Sequence, residues 1–194
     1  MVRNELDKLK ERIWITERCH MKAEARNRRL EFFFHITLAL FALSSIFVGL
    51  FQFETGFSGF DNILTFTSIC TLSISLLIFG FKFGETAAQH RSCYLDLQRL
   101  RFQAFDAETS LNEKYIDTLS YYPNHSTSDY MSVTISNIFS SKQSLKDSNG
   151  EPFFFSIFSR LKHAISWLTL RLLAVALALT PISLALISIT EFPL

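Results

Sequence analysis

Two cysteine–histidine pairs carry the residue types that bind transition metals. Cys19 and His20 are adjacent, while His90 and Cys93 are three positions apart. Zn²⁺ favours sulfur and imidazole ligands, but adjacent helical residues point about 100° apart, so the first pair lacks the spacing of a zinc site. We expect ordinary helix-face residues with reduced thiols, and we predict no metal and no cofactor.

Other catalytic signatures are missing from the sequence. There is no G-x-S-x-G nucleophile motif, and the six glycines are scattered rather than grouped in a phosphate-binding loop. A cysteine–histidine pair could serve nucleophilic catalysis, yet nothing in the sequence marks either thiol as activated. We predict that the chain is not an enzyme.

One run of hydroxyl side chains has a spacing that could matter in a membrane. Thr67, Thr71 and Ser75 follow one another at four-residue steps, with Ser68 beside them. At 100° per residue, these four occupy an arc of about 100° on a helix. Such an arc suits close packing between helices, where hydroxyls hydrogen-bond across the contact. It also suits the water-accessible face of a pore in an oligomer.

Two ionisable residues lie at the start of the first long apolar run. Glu31 and His35 are one helical turn apart. An ionisable group at the mouth of a membrane span is a functional candidate. The imidazole could equally pair with Glu31 or lie at the level of the lipid headgroups.

Two apolar runs must position these side chains. Residues 32–53 and 62–81 contain no Asp, Glu, Lys or Arg. As helices they would be ~33 and ~30 Å long, which matches a hydrocarbon core of about 30 Å. The short segment 54–61 between them predicts a transmembrane helical hairpin.

Charge predicts the orientation of that hairpin. Arg26, Arg28 and Arg29 precede the first run, basic residues also follow the second, and the loop between them has two acids and no base. The positive-inside rule therefore places both flanks, including the N-terminus, in the cytoplasm. Basic side chains beside a membrane suit anionic lipid headgroups, so we predict no direct nucleic-acid binding.

The flanks have helical patterns of their own. Residues 3–31 predict an amphipathic helix with an apolar stripe that Thr16, His20 and Asn27 interrupt, and this helix should continue into the first span. Residues 85–108 predict a second cytoplasmic helix. The apolar faces of the two should pair with each other or with neighbouring subunits. Ser110 to Glu113 has the form of a capping box, and a further cap at Ser126 to Asp129 would begin a helix over 127–139.

The remaining residues predict a different kind of segment. Residues 140–151 are polar and serine-rich, as in a linker, and 152–171 combine aromatic and basic residues as interfacial helices do. Residues 172–190 form a third charge-free run, which we expect to be a third, C-terminal transmembrane helix. A re-entrant or surface-lying helix is the alternative. The predicted fold is thus an all-α membrane protein with long cytoplasmic helical extensions.

The order of these features resembles one known family. A basic helix, ERIWITERCHMKAEARNRRLEFF, enters the first span, and ETAAQHRSCYLDLQRLRFQAF follows the second. The segment most similar to the family contains Tyr115, Pro123, Asn124, His125, Asp129 and Tyr130. Over residues 10–139, within a predicted domain of residues 1–139, the chain resembles the SLATT family of two-span effectors that accompany nucleotide-sensing modules in bacterial conflict systems.

The resemblance implies an anti-phage effector in the bacterial inner membrane. Such an effector would form a homo-oligomer in the lipid bilayer and, when triggered, permeabilise the membrane and arrest growth. Its operon partner would be a cyclic-oligonucleotide synthase, a nucleotide sensor or a reverse transcriptase. A non-conducting scaffold that recruits a cytoplasmic partner is the alternative. For Asn124, His125 and Asp129, the residues themselves support capping of a turn and helix, with trigger sensing as the second interpretation.

Overall fold

Helices are the only regular elements in the part of the chain that the structure describes. The structure is a computed structural model, and it describes residues 2–55, 60–103 and 108–141, followed by positions 161, 165, 168–169, 171–172, 175–177, 179–183 and 186. The helices are α1 (Val2–Thr55), α2 (Phe60–Phe81), α3 (Phe83–Phe102), α4 (Glu108–Ser120) and α5 (Thr127–Ser141). The all-α class is confirmed.

The helix bounds confirm some expectations and correct others. The basic N-terminal helix does continue into the first apolar run, because α1 has no break between Val2 and Thr55. The cap at Ser126 is confirmed, since α5 begins directly after it. The predicted cap at Ser110 is wrong: α4 begins at Glu108, and a capping residue must lie outside the helix that it starts.

The chain divides into two compact units. The first, here called the bundle, contains Met1–Arg29 and Phe83–Ser159; the second, here called the hairpin unit, contains Leu30–Lys82 and Arg160–Leu194. Residues 140 and 141 of the predicted linker 140–151 belong to α5, which ends at Ser141 rather than at 139. The rest of the linker and most of the interfacial and third-span predictions lie outside the described residues. The described positions within 172–190 are helical, and a third span stays a prediction.

The bundle is built on a seam between α1 and α3. Buried positions of α1 recur at alternating steps of four and three residues, as in paired helices. They are Leu9, Ile13, Thr16, His20, Ala23 and Asn27. The matching buried positions of α3 are Ala87, His90, Cys93, Leu97 and Leu100. Pairing of the two helical extensions within one chain is therefore confirmed.

Two apolar clusters fix the other helices of the bundle. The larger joins α1, α3 and α4 through Leu9, Ile13, Cys93, Leu97, Leu100, Leu111 and Tyr115. The smaller joins α1 and α5 through Cys19 and Val133, with Trp14, Ile15 and Tyr130 packed against them. α3, α4 and α5 are therefore all packed against α1.

The hairpin unit buries the same kind of stripe. Thr37, Phe41, Ser44 and Val48 of α1 are buried, as are Thr67 and Ile74 of α2. A Cβ added to Gly49 would lie 4.0 Å from Leu64 Cδ2, which shows that α1 and α2 are in contact here. The Ser44 hydroxyl donates a 3.0 Å hydrogen bond to the Pro181 carbonyl.

Lys82 ends α2 in an unusual conformation. Its φ is 46°, in the left-handed region that side chains other than glycine seldom adopt. Its N–H still reaches the Ile78 carbonyl at 3.2 Å, as at a helix end that closes with a left-handed residue. α3 then begins at Phe83.

Candidate functional site

The predicted hydroxyl stripe of α2 is split by its packing. Thr67 is fully buried and donates to the Leu64 carbonyl at 3.0 Å, while the half-buried Thr71 donates to the Thr67 carbonyl at 2.7 Å. Ser68 and Ser75 are exposed. Threonine hydroxyls that bond their own helix are satisfied there, so the two inner residues have the positions expected of packing residues, and the role of the stripe stays a prediction. The outer serines are the hydroxyls still open to a neighbour.

The two ionisable residues at the mouth of the first span are not equivalent. His35 is exposed on α1, and Glu31, one turn earlier, is half-buried. Both lie in the hairpin unit. Their functional role stays a prediction.

The family-like segment forms a capped turn in the bundle. α4 ends at Ser120, Pro123 lies in the irregular stretch that follows, and Asn124 is exposed. The Asp129 carboxylate accepts from the Ser126 N–H at 3.0 Å, and the Asp129 N–H donates to the Ser126 hydroxyl at 3.2 Å. This reciprocal pair is a capping box with Asp in the acidic position.

Arg26 of α1, which belongs to a different helix, binds the two residues of this cap. Its Nη2 lies 3.2 Å from Asp129 Oδ2, and its Nη1 donates to the Ser126 hydroxyl at 3.1 Å. Asp129 is buried, whereas the Arg26 side chain is 40% exposed. The start of α5 is therefore held to α1 by charge-assisted hydrogen bonds.

Tyr115 holds α4 to α1 by a buried polar contact. Its hydroxyl lies 2.9 Å from Thr16 Oγ1, and Thr16 in turn donates to the Arg12 carbonyl at 3.0 Å. Since the threonine proton is already used, the tyrosine donates. Burial raises the pKa of Tyr115, which keeps the phenol protonated and able to donate. Tyr130, the last residue of the segment, packs in the smaller apolar cluster.

Three histidines from three parts of the bundle meet beside this cap. His20 Nδ1 lies 2.9 Å from His90 Nδ1, and the His125 ring stands edge-on to His20 at 5.5 Å between ring centroids. His20 and His90 are 1% and 2% exposed, so the pair is shielded from water. From the sequence, both were expected to be ordinary helix-face residues. The sequence signal for their contact is that each lies on a regularly spaced stripe of its helix, and these two stripes pack together.

The histidine pair is uncharged near neutral pH. Burial, with help from the neighbouring His90 and His125, lowers the pKa of His20 to about 4. Burial also lowers the pKa of His90, where the attraction of Asp129 opposes and the repulsion of Arg26 adds to the effect. In neutral imidazoles one nitrogen donates and the other accepts, which is what a 2.9 Å contact between two Nδ1 atoms requires.

The cysteines do not join this cluster as ligands. Cys93 lies in the larger apolar cluster and Cys19 in the smaller one. Burial raises the pKa of each thiol to about 12, so both are protonated at neutral pH. Within the described ranges, no group of three or more His, Cys, Asp or Glu side chains has a geometry that could hold a metal ion.

Comparison with known proteins identifies the family of the chain. The sequence model of the SMODS and SLOG-associating 2TM effector domain family 5 matches residues 2–188. The chain belongs to this family. The matched range is longer than residues 10–139, which carry the resemblance described above. Neither curated proteins nor solved structures gave a match.

The structure agrees with a two-span architecture. Two helical stretches, Glu5–Leu50 and Asp61–Phe102, contain segments long and apolar enough to cross a membrane, and only 22% and 11% of the residues in those segments are buried. The core helix of a water-soluble protein would be mostly buried. Large apolar side chains such as Leu43, Ile46, Leu72 and Phe79 are instead well exposed, as expected for helices that contact lipid. Two such helices in a member of this family indicate a membrane protein.

Proposed function

We propose that the chain is a bacterial anti-phage effector that oligomerises in the inner membrane and permeabilises it when triggered. The observation that carries the proposal is membership of a two-transmembrane effector family, together with two apolar helices whose side chains are largely exposed. A single hairpin encloses no aqueous path, so conduction requires association of several chains. The trigger would come from a nucleotide-signalling partner in the same operon, and the N-terminus would face the cytoplasm.

The exposed serines of α2 are the best candidates for the conducting face. Ser68 and Ser75 are two helical turns apart and therefore lie on one side of α2. In hydrocarbon a hydroxyl needs a partner, which a second helix or water in a lumen can supply. Thr67 and Thr71 face the hairpin's own contact, so their role in a lumen would require rearrangement of that contact.

A double variant and a single-residue control on another face of α2 test this assignment. Ser68→Leu with Ser75→Leu places two bulky apolar groups on the proposed face, whereas Ser73→Leu makes the same change on another exposed face of α2, about 140° from Ser68. In bacteria that express the chain with its neighbouring genes, the double variant should abolish depolarisation and dye uptake. The Ser73 control should retain both. Equal leakage from both variants would refute the lining assignment, provided that membrane fractions contain equal amounts of each.

The scaffold alternative is separated by replacing the spans. In a non-conducting anchor the spans serve only to hold the bundle at the membrane, so unrelated apolar sequences over 32–53 and 62–81 should preserve function. In a permeabilising effector the same replacement should abolish depolarisation. Growth arrest that persists without depolarisation would favour the scaffold and contradict the proposal.

A further inference from the structure

The histidine pair is a buried contact at which two separate segments of the bundle share a single proton. His20 comes from α1 and His90 from α3, and the Nδ1 atoms face each other at 2.9 Å. His125, from the turn between α4 and α5, adds a third ring at 5.5 Å from His20. The proton on this contact therefore affects how α3 and the α4–α5 turn are held to α1.

The hydrogen bond between the two rings persists only up to a certain number of bound protons. With both rings neutral, one Nδ1 carries a proton and the other offers a lone pair, and the second ring's own proton is on Nε2. A first added proton can go to the bare Nε2 of the donor ring, and the Nδ1–Nδ1 bond remains. A second added proton must go to the accepting Nδ1, where it meets the N–H of its partner. That step breaks the bond and places two imidazolium ions next to each other.

The surrounding charged groups do not offset the repulsion between two protonated rings. His20 faces His90, His125 and Asp129, while His90 faces Asp129, Arg26, His125 and Glu24. The Asp129 carboxylate already accepts from Ser126 and from Arg26, so its charge is largely balanced. Glu24 is likewise paired with Arg28 at 2.8 Å. Two added positive charges would thus have no free counterion among the groups that face the pair.

We propose that the His20–His90 pair is a proton-operated latch, which holds the His90 region of α3 and the α4–α5 turn against α1 while neutral and releases the turn and α5 when both rings are protonated. The latch is a property of the bundle alone. Its use to control permeabilisation rests on the proposed function. The lowered pKa of His20, about 4 compared with 6.5 for a free imidazole, agrees with a latch that is closed at neutral pH and opens in acid.

The native Trp14 reports the opening. Trp14 packs against the Cys19–Val133 cluster that joins α1 to α5, so its environment changes if α5 moves away. The full chain in detergent would carry Trp167→Phe, which leaves Trp14 as its only tryptophan. EDTA is present throughout, so that no metal ion replaces the shared proton. The Trp14 emission maximum should shift to longer wavelength between about pH 6.5 and about pH 4, while circular dichroism shows retained helix.

Non-titrating variants decide between the latch and general acid unfolding. His20→Asn with His90→Asn keeps an amide at each Nδ1 position and removes both titrating rings; His90→Asn alone serves if the double variant loses helix at neutral pH. The acid shift should disappear in the double variant, and also in the single one, because one remaining ring cannot form the second imidazolium ion. His35→Asn, which removes an exposed histidine of the same helix, should leave the shift unchanged.

Two results would overturn the proposal. One is a constant Trp14 emission in the parent chain across this pH range. The other is the same shift, with the same midpoint, in the parent and in the His20/His90 variants. Neither result depends on membrane leakage, so failure of the latch is distinguishable from failure of the proposed effector function. Leakage of dye from vesicles that contain the chain, measured at neutral and acid pH, then tests whether an open latch favours conduction.

Discussion

Asp129→Ala should loosen the start of α5 from α1 and destabilise the bundle. The Asp129 carboxylate accepts from the Ser126 N–H at 3.0 Å and from the Ser126 hydroxyl at 2.7 Å, and it pairs with Arg26 at 3.2 Å. Alanine removes these three contacts together. It also leaves the buried end of Arg26 without its countercharge.

The magnitude follows from two contributions. Loss of a helix cap costs about 1 kcal/mol. Loss of one member of a buried ion pair costs about 3–5 kcal/mol, but the Arg26 side chain is 40% exposed, so water replaces much of the lost contact and we assign about 1–2 kcal/mol. The sum is about 2–3 kcal/mol, which corresponds to a decrease in Tm of about 4–12 °C for a chain of this size.

Thermal unfolding of the full chain in detergent at neutral pH, followed by circular dichroism, measures this decrease. Asp117→Ala is the matched control, because Asp117 is exposed on α4, and it should change stability by less than about 0.5 kcal/mol. Equal Tm values for the two variants would refute the role given to Asp129. A double-mutant cycle with Arg26→Gln should show that the two substitutions are not additive.

Three further predictions concern the bundle and its connection to α2. Thr16→Val or Tyr115→Phe alone should cost about 1–3 kcal/mol, because each removes one partner of the buried hydrogen bond between α1 and α4. The double variant should cost less than the sum, and additive losses in thermal unfolding would contradict this. Cys19 and Cys93, with pKa values of about 12 compared with 9.0, should have about a thousandfold less thiolate at neutral pH than free thiols, so maleimide should modify them only after denaturation, as mass spectrometry can show. Lys82→Gly should raise stability by about 1 kcal/mol and Lys82→Val should lower it, because φ is 46° there; a lower Tm for the glycine variant would exclude strain at this residue.

The apolar runs made the helices and their class predictable. Charge-free stretches longer than an ordinary buried helix left few alternatives to membrane spans, and the second predicted span ends at Phe81, where α2 ends. The cap at Ser126 was also readable, because it lies outside the helix that it starts. The cap at Ser110 failed because the same letters occur within the first turn of α4, and the motif does not say which residue is the last non-helical one.

The polar members of the seam could not be predicted from α1 alone. Thr16, His20 and Asn27 looked like interruptions of an apolar stripe, yet all three are buried on it. Thr16 and His20 find partners in Tyr115 and His90, which are 99 and 70 residues away in the chain. A buried polar residue is recognisable only together with the group that satisfies it, and that pairing is a property of the assembled fold.

The helices of the bundle differ in the kind of contact, apolar or polar, that joins them to α1. α3 and α4 are joined to α1 by the larger apolar cluster, whose burial does not depend on pH or charge. α5 is joined to α1 by the smaller cluster around Cys19 and Val133 and by the contacts of Arg26 with the Ser126–Asp129 cap. Polar and ionic contacts respond to protons and to competing charges, whereas apolar burial does not. α5 and its preceding turn are therefore the elements that a chemical signal can detach while the α1–α3–α4 core stays folded.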